Sequence, residues 1–133
     1  MDLIREILDK SMNIAVIGIK NGPTDDAYKV PYYMSQNGYN IFPVNPKLAG
    51  GVLFDIAVVS KVTELITPID IVNIFRNPKH LFTHAQEILQ MKPHPHYVWF
   101  QLGIYNDEAA NLLEKNGIKV IQNRCIMVEH SNL

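Results

Sequence analysis

Short apolar runs alternating with helical segments constrain this chain more than any other feature. Asn13-Ile14-Ala15-Val16-Ile17-Gly18 is continuously apolar and closed by glycine, the pattern of a strand covered on both faces. Ala27 to Gln36 then reads as a helix, ended by Asn37-Gly38, residues that tolerate a left-handed cap. Tyr39 to Val44 reads as a second strand, with Pro43 marking the end of its ladder. Strand, helix and strand within about thirty residues make a right-handed βαβ unit.

The rhythm continues along the chain. Leu3, Ile4, Ile7 and Leu8 fall at helical spacing before the first strand. Gly50-Gly51 marks a turn, Ile56 to Val59 a short strand, and Val62 to Leu65 one helical turn. Ile69 to Phe75 is a buried strand, and Pro78 opens an amphipathic helix through Leu81, Phe82, Ala85, Ile88 and Leu89. Tyr97 to Leu102 is another strand. Asn106 stands at an N-cap position with Asp107 and Glu108 in the first turn, where acidic groups suit the helix dipole. That helix runs to Lys115, and Ile118 to Ile121 is the last clear strand. The expected fold is α/β, a Rossmann-like doubly wound, mostly parallel sheet of five to six strands with helices on both faces.

The 133 residues suit one domain, expected to span 1–133. The chain is 47% apolar and 19% charged with a net charge of −1, so no global field draws nucleic acid or an anionic membrane. No apolar run approaches the ~20 residues that span a bilayer, and Met1 to Leu8 mixes charge and apolar residues too early for a signal peptide. Cys125 is the only cysteine, which points to a reducing, cytoplasmic setting.

In a doubly wound sheet the ligand lies beyond the carboxyl ends of the strands. The candidate positions are therefore Gly18-Ile19-Lys20, Val44-Asn45-Pro46-Lys47, Phe75-Arg76-Asn77, Gln101-Leu102-Gly103 and the segment after Ile121. Lys20, Lys47 and Arg76 bring three cations to one edge, as a polyanionic nucleotide requires. An NAD site calls for a carboxylate at the end of the second strand. Val44 to Lys47 offers none, which argues against an NAD(P)-linked oxidoreductase.

His80 and His84 share a helix face with Glu87 nearby, but flanking surface histidines explain the pattern better than a metal, and none is expected. His94-Pro95-His96 reads as a turn. Cys125, His130 and Tyr28 are the candidates for a nucleophile or base should the protein be an enzyme, and Cys125 near the ligand could form a mixed disulfide with a thiol cofactor. Tyr32, Tyr33, Phe54 and Tyr105 could serve a homodimer or another protein partner.

Several segments carry a family resemblance: Ala15-Val16-Ile17-Gly18 with Pro23 and Ala27-Tyr28-Lys29-Val30; Phe42-Pro43-Val44-Asn45-Pro46-Lys47; Ile69 to Arg76; Val98 to Ile104; and Asn123 to His130. In this order they resemble the stand-alone CoA-binding domain proteins, which are similar to the CoA-binding domain of the succinyl-CoA synthetase α subunit. The resemblance implies coenzyme A, or an acyl-CoA, bound across the strand ends without an evident catalytic apparatus. It implies that Gly18, Ile19 and Lys20 face the phosphates, with Tyr28 downstream. Pro43, Val44, Asn45 and Lys47 would flank the adenosine, and Phe75, Arg76, Gln101 and Gly103 would line the cleft. The chain departs from the family pattern at Lys20, where Ser or Thr is common, and at Asp25, where Arg is frequent. No histidine matches the phosphorylated one in the synthetase's second domain.

Overall fold

A computed structural model describes residues 2–133. Helix α1 (Leu3–Lys10) is capped by Asp2, whose carboxylate accepts the Ile4 N–H at 3.0 Å. The first parallel unit follows as β1 (Asn13–Ile17), α2 (Asp26–Gln36) and β2 (Asn40–Val44). A two-stranded hairpin, β3 (Val52–Leu53) and β4 (Ile56–Ala57), leads to a 3₁₀ turn at Val62–Glu64 and then to β5 (Ile71–Ile74). A second 3₁₀ turn at Pro78–His80 feeds α3 (Leu81–Ile88), followed by β6 (Tyr97–Phe100), α4 (Asp107–Lys115), β7 (Lys119–Ile121) and α5 (Ile126–Ser131).

The main sheet has five strands, all parallel, in the order β2-β1-β5-β6-β7. Side chains alternate between its faces, as the two-residue period of a strand demands. Ala15, Ile17, Val72, Ile74, Val98 and Phe100 pack beneath α3 and α4. Ile14, Val16, Ile71, Tyr97 and Trp99 pack beneath α1, α2 and α5. The central strands β5 and β6 are buried at every position, which is why β6 reads as an unbroken apolar run and β5 as one interrupted by Asn73 alone. Among the described residues no helix is long and apolar enough to cross a membrane.

Three features differ from the sequence expectations. The stretch Ile56 to Val59 is not one strand. Ile56–Ala57 closes an antiparallel hairpin over Phe54 and Asp55, both at positive φ, the geometry of a two-residue type I′ turn. Val59 then forms a lone parallel bridge with Val44, beside the edge position where Pro43 has no N–H to donate. The helix at Pro78 begins as a 3₁₀ turn, capped by the Asn77 side chain on the Lys79 N–H at 3.0 Å. Finally, the chain ends in α5, a helix that no apolar period announces.

Candidate functional site

The order of the strands reverses between β1 and β5, and their carboxyl ends meet closely. Phe75 N–H donates to the Ile17 carbonyl at 2.9 Å, and Gly18 N–H to the Val44 carbonyl at 3.0 Å. Gly18 has φ +82°, and a Cβ there would lie 2.3 Å from the Phe75 carbonyl oxygen and 3.1 Å from Arg76 Cδ. Only glycine fits, because the crowding atom is backbone held in the sheet.

The loop after Gly18 is tied down from three sides. Ile19 turns its side chain into the α2-side core, so it leaves only backbone to a ligand. Its carbonyl accepts the Asn45 side-chain amide at 2.7 Å, and Asn45 Oδ1 accepts the Lys47 N–H at 2.9 Å. Pro31 inside α2 has no N–H for the Ala27 carbonyl one turn earlier. Lys20 N–H takes that carbonyl at 3.2 Å, which fastens the loop to the helix. Asp25 occupies the N-cap position of α2 without a side-chain capping bond.

Two hollows lie along this edge. A shallow groove at the strand reversal is lined by Lys20, Asp25, Asp26 and Ala27 from the first loop, and by Phe75, Arg76, Asn77 and Ile104. A smaller cavity of about 150 Å³ sits between the ends of β1 and β2, the Ser60–Val62 segment and α3. Ile17, Gly18, Val44, Pro46 and Val62 supply its apolar wall, and Arg76, His84 and Glu87 its polar one. Arg76 lines both hollows. None of Lys20, Lys47 and Arg76 enters an ion pair among the described residues.

Neighbouring groups set the charge balance. Burial, and then the electrostatic effect of Arg76, Lys79 and His84 around it, hold the His80 imidazole below its ordinary pKa. Glu64 is held below the usual carboxyl range first by the Ser60 hydroxyl at 2.6 Å and then by backbone N–H groups. Those bonds brace the Ser60–Lys61 side of the cavity.

The structure thus brings Gly18, Lys20, Phe75, Arg76 and Val44 to the two hollows, whereas Lys47 is exposed and lines neither, and Pro43 is buried within β2. It turns Gln101 elsewhere. The Gln101 side chain is buried and its Oε1 accepts from Asn73 Nδ2 and the Ile126 N–H, both at 3.3 Å. Gly103, at φ +80°, gives its N–H to Asn123 Oδ1 at 2.7 Å and links the β6 and β7 loops. The Tyr28 ring stacks on Phe54 and Tyr32, with centroids 5.4 and 6.0 Å away, outside the lining of either hollow.

The possible reactive groups are similarly dispersed. His130 Nδ1 meets the Tyr33 hydroxyl at 2.9 Å, and no hydrogen bond joins it to Cys125 among the described residues. Cys125 stands at the N-cap of α5 in a separate depression with Leu102 and Arg124. No cluster of three or more His, Cys, Asp or Glu side chains suited to a metal occurs among the described residues. Sequence reasoning missed Ser60, Val62 and Ile104 as wall residues. It weighed His84 and Glu87 only as metal ligands.

A parallel sheet covered on both faces, with its groove at the reversal of strand order, defines a doubly wound domain of Rossmann type. The chain belongs to the CoA-binding domain family, which residues 12–131 match. It is 38% identical over 128 residues to the uncharacterized protein YneT of Bacillus subtilis, covering 96% of this chain and 92% of that one. The structure of cell-free ID.343 from Thermus thermophilus superposes with a TM-score of 0.92 at 38% identity, over 97% and 95% of the two chains. A hypothetical protein of Pyrococcus horikoshii gives 0.89 at 33% identity, over 98% and 89%.

Proposed function

We propose that the protein binds coenzyme A or an acyl-CoA across this edge and performs no chemistry of its own. The observation that carries the reading is the pairing of Lys20 and Arg76, both free of ion pairs, across the groove at the strand reversal. Beside them the first turn of α2 has N–H groups without intrahelical partners, and its dipole favours an anion. A pyrophosphate suits that position. The adenosine then runs past Gly18 toward the cavity lined by Pro46, with Lys47 next in sequence.

A CoA-thioester enzyme would need a nucleophile or base beside the ligand. Cys125, His130 and Tyr28 all stand outside the two hollows, which favours binding over catalysis. The absence of a carboxylate among Val44 to Lys47 favours CoA over NAD. Membership of the CoA-binding domain family supports the same ligand.

Calorimetric titration with CoA, dephospho-CoA and NAD tests the reading. CoA is expected to bind, dephospho-CoA more weakly because a cation reads the extra phosphate, and NAD weakest. Failure of folded protein to bind CoA would overturn it, and Lys20 and Asp25 would then be the positions responsible.

A further inference from the structure

The loop between β1 and α2 carries an asparagine followed by glycine, Asn21-Gly22, directly after Lys20. We propose that Asn21 is a site of spontaneous modification: its side chain closes on the Gly22 nitrogen, and the acid that results lowers the affinity of the groove for a polyanion. The effect on the groove rests on the proposal that the ligand is CoA, whereas the modification itself does not.

Asparagine is a labile side chain, and a following glycine has no side chain to shield its nitrogen or restrict its dihedrals. The Gly22 nitrogen attacks the Asn21 amide carbon, and the amide leaves as ammonia with the proton from that nitrogen. Water then opens the cyclic imide at either carbonyl. The product is an aspartate or, with the chain routed through the side chain, an isoaspartate. Water is consumed and ammonia released, and nothing is oxidised or reduced.

The chain has three such pairs, at Asn21, Asn37 and Asn116, and the structure separates them. Asn37 and Asn116 end α2 and α4, where their side-chain amides donate to the Tyr33 and Leu112 carbonyls at 2.8 and 2.9 Å. Their ψ angles of 26° and 17° turn the following nitrogen away from the side chain. The Gly117 N–H is also spent, on the Glu114 carbonyl at 3.1 Å. Asn21 is exposed, in irregular backbone before a turn in which the Asp25 N–H donates to the Gly22 carbonyl at 3.0 Å. Among the described residues neither its side chain nor the Gly22 N–H has a hydrogen-bond partner.

The position matters because the groove is finely balanced. Lys20 and Arg76 line it, but so do Asp25 and Asp26. The Asp25 carboxylate already lies against Gly22, where an added Cβ would stand 2.7 Å from its Oδ2. A further carboxylate beside Lys20 turns that balance against a phosphate. Isoaspartate also adds a methylene to the backbone, between Lys20, whose N–H is fixed to the Ala27 carbonyl at 3.2 Å, and the turn at Gly22.

Ageing the protein in warm, mildly alkaline buffer and mapping its tryptic peptides by mass compares the three sites directly, since cleavage after Lys20 and Lys29 isolates Asn21. Asn21 is expected to convert at least about tenfold faster than Asn37 or Asn116, each of which must first give up a hydrogen bond. By calorimetry, fresh Asn21→Asp should bind CoA at least about threefold more weakly than wild type, a gap that narrows with added salt. Asn21→Gln keeps the amide but closes its ring far more slowly. It should bind as wild type does and hold its affinity on ageing, while aged wild type loses affinity as Asn21 converts. Equal rates at the three sites, or faster conversion at Asn37 or Asn116, would overturn Asn21 as the site. Unchanged CoA affinity in Asn21→Asp and in converted protein would overturn its effect on the groove. Fresh protein that binds no CoA would overturn the CoA reading and that effect with it, and the peptide map would still decide the site.

Discussion

Gly18 shows how much of this site hangs on single atoms. Its positive φ and the carbonyl 2.3 Å from a would-be Cβ act together. Alanine there meets the left-handed penalty and a steric overlap with backbone that cannot move without parting β1 from β5. We expect Gly18→Ala to lose roughly 2–5 kcal/mol of stability, seen as a lower urea midpoint at unchanged slope. An unchanged midpoint would mean that the strand ends relax freely. The cations are ranked by burial. Arg76 is half-buried and lines both hollows, whereas Lys47 is exposed and therefore more screened by solvent and salt. Alanine at either should weaken CoA binding by about 1–3 kcal/mol, with Arg76 toward the upper end and Lys47 toward the lower. Unchanged affinity in both variants would show that the phosphates lie elsewhere.

Among the elements, α5 depends most on tertiary support, because six residues form too short a helix to persist alone. The sheet holds its start. Trp99 Nε1 donates to the Arg124 carbonyl at 2.8 Å, and Gln101 accepts the Ile126 N–H. Trp99→Phe removes the first bond and some volume, at about 1–3 kcal/mol. Hydrogen exchange should then show the α5 amides losing protection before those of β1 and β5, and uniform loss across all of them would contradict a local role. The same dependence explains what the sequence left hidden. Strands β5 and β6 were legible because burial on both faces writes itself as an apolar run, broken in β5 only by Asn73, and α4 because Asn106 caps it locally, accepting the Ala109 N–H at 3.0 Å. The hairpin turn at Phe54-Asp55 lacks the usual glycine, and α5 and the Val59 bridge are set by long-range contacts, so no local pattern reports them. The site divides the same way. Gly18, Lys20 and Arg76 were legible from strand ends alone. Gln101 occupies such an end yet faces Asn73 and α5, a direction that only the packed sheet decides. Pro31 freeing the Ala27 carbonyl for Lys20 needed the loop's path to be known.

At the scale of the whole molecule, a net charge of −1 means that ligand charge is met locally and that protons must follow it. His80 connects the two. Burial first, then Arg76, Lys79 and His84, depress its pKa, so the folded protein binds a proton there less readily than the unfolded chain. The sign follows by linkage: this stability is fully present above the ordinary histidine value of about 6.5 and is lost as pH falls through it toward the lower folded value. A phosphate held by Arg76 changes the balance, because it cancels the positive charge that disfavours imidazolium. His80 should then take up part of a proton as CoA binds, and affinity should rise as pH falls through that range. CoA's own phosphate monoester, with a second pKa of about 6, also titrates there. The informative quantity is therefore the difference between wild type and His80→Ala. Titrations near pH 6.5 in two buffers of unequal ionisation enthalpy should give a fractional proton uptake that the variant lacks. If both proteins exchange the same number of protons, His80 does not sense the ligand, and the phosphates do not sit against Arg76.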